Sequence, residues 1–111
     1  MISTHVLDLS LGRPAAGVAI VLERQTAPAA WTIVERSATD ADGRVREMAA
    51  GAALPRGTYR ITFETGAYHR RMNVEPFYPR VVVFFEVREP ADHHHVPLLL
   101  SPYGYSTYRG S

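Results

Sequence analysis

Apolar and polar residues alternate along most of this chain with the period of two that is typical of β-strands. In the segment 58–65, Tyr59, Ile61 and Phe63 fall on one face with polar residues between them. The segment 81–87 is instead almost entirely apolar, which predicts a strand that is buried on both faces. The predicted strands are 3–9, 18–24, 31–37, 44–46, 58–65, 81–87 and two further strands, joined by a tight turn, between 93 and 111.

The intervals between these strands carry turn residues and leave room for little helix. Gly-Arg-Pro at 12–14 and Asp-Ala-Asp-Gly at 40–43 are turn sequences. The polar segment 66–73 predicts a short helix across the sheet edge, and the prolines around the aromatic pair at 77–78 predict an exposed loop. About eight short strands at roughly 8–12-residue spacing indicate an all-β fold, a two-sheet antiparallel β-sandwich with one short helix.

Composition narrows the class of protein further. The chain has 111 residues, which predicts one domain over 1–111, and a formal net charge of +1 gives no attraction to nucleic acid or membranes. Cysteine is absent, so disulfides and thiolate metal sites are excluded. No apolar run approaches the roughly 20 residues that span a bilayer, and the N-terminal segment lacks a secretory pattern. We therefore expect a soluble cytoplasmic protein.

Three consecutive histidines begin the last part of the chain. In a strand, His93 and His95 share one face and His94 lies on the other. Two histidines at this spacing could both bind one zinc ion, but the third ligand would have to be His5, the only other strand-borne candidate. Exposure at a strand start is the more common situation for such residues. A metal site is thus an open alternative that we do not favour.

Other candidate residues have ordinary explanations when each is taken alone. His5 lies on an apolar strand face and would commonly be a partly buried structural histidine, whereas Arg44 follows a turn and would be a solvated charge. The Asp-Ala-Asp-Gly turn lacks the later ligands of a calcium loop. The terminal segment 106–111 has hydroxyls, an arginine and a free carboxylate, but no Gly-x-Ser-x-Gly sequence of a serine hydrolase. Its final Gly-Ser pair has low strand propensity and is unexplained by an edge strand.

Longer stretches of the sequence resemble a known family. These stretches are THVLDLSLGRPAAGVAIVLER near the start, TDADGR in the middle and HVPLLLSPYGYSTYRGS at the end. They resemble the 5-hydroxyisourate hydrolases, the enzyme branch of the transthyretin-related proteins, and the similarity also runs through 59–63 and 76–79. The final Tyr-Arg-Gly-Ser is specific to the enzymes because the hormone-carrier branch lacks it.

This resemblance implies an eight-stranded sandwich assembled as a homotetramer, a dimer of dimers, with active sites in the channel between dimers. It also implies hydrolysis of 5-hydroxyisourate, the unstable product of urate oxidation. Water attacks the C6 carbonyl and the N1–C6 bond opens, giving 2-oxo-4-hydroxy-4-carboxy-5-ureidoimidazoline, and no metal or organic cofactor is required. The implied site residues are His5, Arg44, His95, Tyr108, Arg109, Gly110 and Ser111.

Roles for these residues follow as hypotheses from the chemistry of ring opening. His5 would be the base that activates water, and Arg44 would keep it neutral and bind a substrate carbonyl. His95 would orient the substrate or assist proton transfer, and Pro97 would require an edge strand or a bulge because it has no N–H. Of the terminal residues, Tyr108 and Ser111 would hydrogen-bond the ring, Gly110 would leave space for it, and Arg109 would anchor the terminus.

Three alternatives stay open from the sequence. The first is a transthyretin-like carrier that uses the same channel for a flat apolar ligand without catalysis. The second is a zinc-dependent cyclic amidohydrolase that uses His5, His93 and His95. The third is a purely structural tetramer, which no sequence feature favours.

Overall fold

The chain folds into nine strands and one short helix in the computed structural model, which describes all residues from 1 to 111. The predicted strands and the predicted helix are all present, and a two-residue strand occupies the predicted turn at 12–14. In chain order the elements are β1 (Ile2–Asp8), β2 (Arg13–Pro14), β3 (Ala19–Ala27), β4 (Ala30–Ala38), β5 (Arg44–Met48), β6 (Gly57–Phe63), α1 (Thr65–Arg71), β7 (Val81–Val87), β8 (His94–Ser101) and β9 (Gly104–Thr107).

These strands form two sheets, as the alternation predicts. One sheet has the order β2-β1-β8-β9, with β5 also paired to β1, and the other has the order β4-β3-β6-β7. Neighbouring strands are antiparallel except β1 and β8, which are parallel over the whole of β1. The parallel pair brings the first strand beside the last part of the chain. The two-sheet sandwich with one short helix is therefore confirmed.

The core lies between the sheets and takes alternate residues from each strand. Tyr59, Ile61 and Phe63 share one face of β6, as predicted, and all three are completely buried against Val6 and Leu98 of the other sheet within one apolar cluster. Burial of such side chains removes apolar surface from water, which is the main stabilising contribution to a sandwich of this kind. Because strand residues alternate, the intervening side chains of β1 and β8 point away from the core.

The outward face of the five-stranded sheet carries the candidate histidines. His5 and Leu7 on β1, and His95 and Leu99 on β8, are each only partly buried, whereas their strand neighbours are buried. His5 pairs with Pro97 in the β1–β8 register, and Leu7 pairs with Leu99. The outer face of this sheet therefore combines two candidate histidines with two leucines, and all four side chains lie outside the core.

The prediction that β7 is buried on both faces is wrong. Val81, Val83 and Val87 are buried, but Phe84 is 59% exposed and Glu86 is also exposed. The physical reason is that the sandwich has only two layers, so one face of β7 meets the core and no further layer covers the other face. An apolar run therefore marks a surface that remains uncovered in the single chain.

The prediction that Pro97 requires an edge strand or a bulge is also wrong in its first part. Pro97 lies in β8, which has β1 on one side and β9 on the other. The β8–β9 ladder stops at the pair Leu98 with Thr107 and resumes only at the bridge between His95 and Gly110. The missing N–H therefore falls in an interruption of the ladder, where the hydroxyl of Thr107 donates to the Pro97 carbonyl at 2.7 Å.

Helix α1 packs on the end of β1 through one buried polar contact. The hydroxyl of Tyr68 donates to the Asp8 carboxylate at 2.7 Å, and both residues are buried. Burial and the hydrogen bond to Asp8 raise the pKa of Tyr68 to about 12. Burial alone would raise the pKa of Asp8, but hydrogen bonds from Tyr68, Ser10 and the Leu11 N–H outweigh it and lower that pKa. At seven residues, α1 is too short to span a membrane, and no helix of the chain is long and apolar enough to do so.

Candidate active site

The register of β1 and β5 brings His5 and Arg44 together. They are directly opposite in the antiparallel ladder, so their side chains lie on the same outward face. The Nε2–H of His5 donates to the backbone carbonyl of Asp42 at 2.9 Å. In the neutral ring, Nδ1 is then the nitrogen that carries the lone pair. The register therefore places these two candidate residues side by side, and the hydrogen bond ties the ring of His5 to the turn before β5.

The turn at 40–43 fixes where Arg44 begins its strand. The Asp40 carboxylate accepts the backbone N–H groups of Asp42 and Arg44, each at 2.9 Å. The hydrogen bond from the Arg44 N–H is the main reason that the pKa of Asp40 is lowered. Gly43 has a φ of +74°, and a Cβ there would overlap the backbone oxygen of Val6. Asp40 is thus a turn residue, as the sequence indicates, and its carboxylate stabilises the turn by accepting these two hydrogen bonds.

His95 is held from two sides. The hydroxyl of Ser3, opposite it on β1, lies 2.8 Å from its Nδ1. On the other side the N–H of Gly110 donates to the backbone carbonyl of His95 at 2.8 Å, and a Cβ on Gly110 would overlap Cδ2 of the ring. The space beside Gly110, which the sequence analysis reserves for substrate, is therefore occupied by the imidazole of His95. The other ring nitrogen, Nε2, has no hydrogen-bond partner in the chain.

The electrostatic surroundings of His95 favour its neutral form. Burial has the largest effect on its pKa, and the positive charge of Arg44 together with the neighbouring His93 and His5 lowers it further. A backbone hydrogen bond with Ser3 acts in the opposite direction but does not reverse the shift. A histidine that is neutral near pH 7 has a lone pair available for a proton, which is what a general base requires.

The last residue of the sequence reaches the same place. Ser111 lines a polar cleft of about 180 Å³ on the outward face, and no apolar residue contributes to its lining. Two guanidinium groups, two imidazoles and the hydroxyls of Ser3 and Ser111 meet there, whereas the buried Thr4 hydroxyl donates to the Val96 carbonyl. This donor-rich set suits the carbonyl oxygens of a small polar ring. The lining residues are Ser3, Thr4, Arg44, Arg46, His93, His95 and Ser111.

Tyr108 and Arg109 lie on the other side of His95. Both line a larger cavity of about 570 Å³ between the exposed edges of the two sheets, and His95 lines this cavity as well. Tyr108 is 57% exposed, and the guanidinium of Arg109 is 4.0 Å from the Asp92 carboxylate, with both side chains mostly in solvent. An exposed pair at this distance contributes little to stability. In the single chain these two residues are therefore not packed against the polar cleft.

Ser3 is a functional candidate that was not predicted from the sequence, and His93 was considered there only as a zinc ligand. The hydroxyl of Ser3 lies 2.7 Å from Nε2 of His93, so one serine contacts two histidines. Alternation along β1 places Ser3 on the same face as His5, which was an available signal. Its neighbour across the sheet depends on the parallel β1–β8 register, which the alternation does not reveal.

The zinc alternative does not match the arrangement of the histidines. No group of three or more His, Cys, Asp or Glu side chains is arranged so that it could hold a metal ion. The His93 and His95 rings are 6.2 Å apart between centroids, and Ser3 occupies the position between them. His5 does not line the polar cleft. The residues present thus form a hydrogen-bonded group instead of a ligand set.

Comparison with known proteins identifies the family. The profile of the HIUase/Transthyretin family matches residues 2–110. This chain belongs to that family. It is 44% identical over 111 residues to the 5-hydroxyisourate hydrolase of Salmonella dublin, an alignment that covers 100% of this chain and 81% of the relative. The resemblance stated from the sequence is therefore confirmed.

Solved structures of the HIUase/Transthyretin family include both enzyme and carrier. The 5-hydroxyisourate hydrolase of Klebsiella pneumoniae superposes with a TM-score of 0.87 at 41% identity, covering 99% of this chain and 97% of its own. The transthyretin of Sparus aurata superposes with a TM-score of 0.91 at 32% identity, covering 98% of this chain and 95% of its own. The fold alone therefore does not separate catalysis from carriage, and the side chains of the site must do so.

Proposed function

We propose that this chain is a 5-hydroxyisourate hydrolase that acts in purine degradation. One observation carries the proposal: Arg44, His95 and Ser111 line a single polar cleft in which the surroundings of His95 hold its pKa below the ordinary value. The hydrolase relatives are 44% and 41% identical to this chain over nearly its full length. The substrate is a small ring rich in carbonyl groups, and the cleft offers guanidinium and hydroxyl donors for such groups.

Ring opening at the N1–C6 bond requires an activated water, a stabilised oxyanion and a proton for the leaving nitrogen. In our proposal, Nε2 of His95 takes a proton from water, and the resulting hydroxide attacks C6. The guanidinium of Arg44 stabilises the negative charge that develops on the C6 oxygen, and Ser111 hydrogen-bonds the ring. The N1–C6 bond then breaks, and N1 takes the proton from Nε2 of His95. The product is 2-oxo-4-hydroxy-4-carboxy-5-ureidoimidazoline.

His5 is the other candidate for the base, and it is the one predicted from the sequence. Its Nε2–H is engaged by the Asp42 carbonyl, so only Nδ1 could accept a proton. We propose that His5 orients Arg44 and the bound ring, because it lies opposite Arg44 in the β1–β5 ladder. Under this assignment, His95→Ala lowers kcat more than His5→Ala does. The reverse order would return the role of base to His5.

The remaining terminal residues complete the proposed site. Tyr108 and Arg109 line the larger cavity that adjoins His95, where they would bind the outer part of the ring or a second copy of the chain. Gly110 contributes by leaving room for the His95 ring. No cofactor takes part in this proposal, and we expect that chelation with EDTA leaves the rate unchanged. Activity that EDTA abolishes and zinc restores would support the amidohydrolase alternative instead.

The deciding experiment follows the absorbance of freshly generated 5-hydroxyisourate. We expect the wild-type chain to accelerate its decay well above the spontaneous rate, and His95→Ala or Arg44→Ala to lower kcat by about 10²-fold or more. Ser37→Ala is a matched control, because Ser37 is a β4 serine of the other sheet without a side-chain hydrogen bond. A wild-type rate equal to the spontaneous rate would favour the transthyretin-like carrier. Extension of the chain beyond Ser111 should also lower kcat, since Ser111 lines the cleft.

We further propose that the active form is a homotetramer, a dimer of dimers. Two edge strands, β7 and β9, leave one side of their backbone without a partner strand, and such edges are ready to pair with another chain. A patch of exposed aromatic rings lies nearby in the chain, formed by Phe77, Tyr78, Tyr103 and Tyr105. The cytoplasmic location predicted from the sequence also remains a proposal, and cell fractionation of the native source tests it.

A further inference from the structure

Ser3 is a buried hydroxyl that contacts two imidazole rings at once. Its side chain extends from β1 to Nε2 of His93 at 2.7 Å and to Nδ1 of His95 at 2.8 Å. The residue is only 4% exposed, so solvent does not substitute for either partner. We call this group the His93–Ser3–His95 bridge. The mechanism described above uses only one of its three members.

The number of hydrogens constrains the bridge. A serine hydroxyl has one proton to donate and lone pairs to accept, so it donates to only one of the two ring nitrogens. The other nitrogen must itself carry a proton and donate it to Ser3. One of Nε2 of His93 and Nδ1 of His95 is therefore protonated, and the other is not. The tautomers of the two histidines are coupled through a single oxygen atom.

We propose that His93, acting through Ser3, decides which ring nitrogen of His95 carries the proton and accepts the positive charge when His95 takes a proton from water. This inference rests on the proposed function, because it deepens the role of His95 there. In the form that is ready to react, Nδ1–H of His95 donates to Ser3 and Ser3 donates to Nε2 of His93. The Nε2 lone pair of His95 then faces the cleft as a base.

The proton transfers balance within the bridge. Water gives one proton to Nε2 of His95, Nδ1 of His95 gives one to Ser3, and Ser3 gives its own to Nε2 of His93. His95 and Ser3 stay neutral, His93 becomes the imidazolium, and the hydroxide left behind attacks C6. When N1 leaves, it takes the proton on Nε2 of His95, and the two transfers within the bridge reverse. His95 thus serves as base and then as acid at the same atom.

The surroundings explain why the charge should move from His95 to His93. His95 is partly buried, and it faces Arg44 and Arg46 from β5, His5 from β1 and Ser111 from the terminal segment, with no carboxylate side chain among the residues lining the cleft. A positive charge there is opposed by burial and by Arg44. His93 lines the same cleft as Arg44 and Arg46, but it is exposed, so water solvates its charge. On its other side, the ring of His95 packs closely against Gly110, which restricts its orientation.

Imidazole ¹⁵N NMR spectra recorded without substrate test the bridge directly. In the wild type we expect the His95 tautomer to change as His93 titrates, because a protonated His93 must donate to Ser3 and Ser3 must then donate to Nδ1 of His95. In Ser3→Ala this change should disappear, and in Ser3→Thr, which keeps the hydroxyl, it should return. Ser37→Ala, in β4 of the other sheet, is the matched control, and its spectra should equal those of the wild type.

Kinetics test the use of the bridge. We expect Ser3→Ala and His93→Gln to lower kcat by about 10-fold or more while KM changes little. His93 is exposed, so its variant tests the relay even if Ser3→Ala fails to fold. Independent titration of the two histidines, or wild-type kcat in His93→Gln, would overturn the proposal. A coupled pair in an inactive wild type would instead overturn the proposed function and, with it, the catalytic part of this inference.

Discussion

The ring of His95 lies so close to the backbone of Gly110 that a methyl group added at Gly110 would displace the ring. A Cβ at Gly110 would overlap Cδ2 of the imidazole, and the three nearest atoms all belong to the His95 side chain. We predict that Gly110→Ala turns the ring away from the cleft and lowers kcat by about 10²-fold, the effect of a displacement near 1 Å at a reacting group. The measurement is the decay of 5-hydroxyisourate absorbance.

Gly104→Ala is the matched control for this substitution. Its nearest neighbour would be the Ser101 hydroxyl at 3.7 Å, which is an ordinary contact. We expect wild-type kcat in that variant, and melting temperatures close to wild type in both. If Gly110→Ala retained full activity, the close packing of Gly110 on His95 would have no role in catalysis.

The charge of Arg44 also acts at the scale of single residues. Burial is the main reason that the pKa of His95 is lowered, and the guanidinium of Arg44 is the next. Removal of a positive charge makes protonation of a neighbouring histidine easier, so Arg44→Gln should raise the pKa of His95 while burial still keeps it below 6.5. NMR titration of the His95 ring measures this shift. Arg36→Gln, an exposed arginine of β4, should leave the titration unchanged.

At the scale of elements, the sequence predicted what depends on neighbours along the chain. Alternation placed His5 on one face of β1 and His95 on one face of β8, and the Asp-Gly turn predicted the start of the strand at Arg44. It did not predict that β1 and β8 run parallel, since pairing between distant segments leaves no periodic signal. The contact of Ser3 with His95 depends on that register and was therefore missed.

The contact between α1 and β1 gives a prediction on stability. Tyr68→Phe removes the hydroxyl that donates to the buried Asp8 carboxylate, leaving the carboxylate with fewer partners. We predict a loss of about 1–3 kcal/mol in the free energy of unfolding, measured by urea denaturation near pH 7. Tyr103→Phe is the control, because Tyr103 is 74% exposed and makes no side-chain hydrogen bond, and it should cost almost nothing.

The pH dependence of this loss has a definite sign. The pKa of Asp8 is lowered in the folded chain, so its contribution is present above the ordinary value of 3.8 and disappears as the pH falls through the folded pKa. The difference between wild type and Tyr68→Phe should therefore shrink in acid below pH 3.8. A difference that stayed constant down to low pH would mean that the carboxylate is not the partner that matters.

At the scale of the whole molecule, the aromatic patch of Phe77, Tyr78, Tyr103 and Tyr105 connects two distant parts of the chain. Phe77 and Tyr78 were predicted to be exposed from their flanking prolines, and they are. Their contact with Tyr103 and Tyr105, at ring-centroid distances of 6.3 and 5.2 Å, was not predictable because it requires the β8–β9 turn to reach the loop before β7. Contiguous exposed aromatic groups are typical of protein interfaces.

Phe77 therefore provides the test of the proposed tetramer. Light scattering on the wild type should give about 49 kDa, four times the 12.3 kDa chain, as expected for closed two-fold assembly. Phe77→Ala should lower this mass, because Phe77 is 65% exposed and has ring contacts only within the patch. Ile33→Ala is the matched control, since Ile33 of β4 is also an exposed apolar residue and belongs neither to the patch nor to β7 or β9. A tetramer that survives Phe77→Ala, or one that only Ile33→Ala dissociates, would move the interface from the patch to another surface.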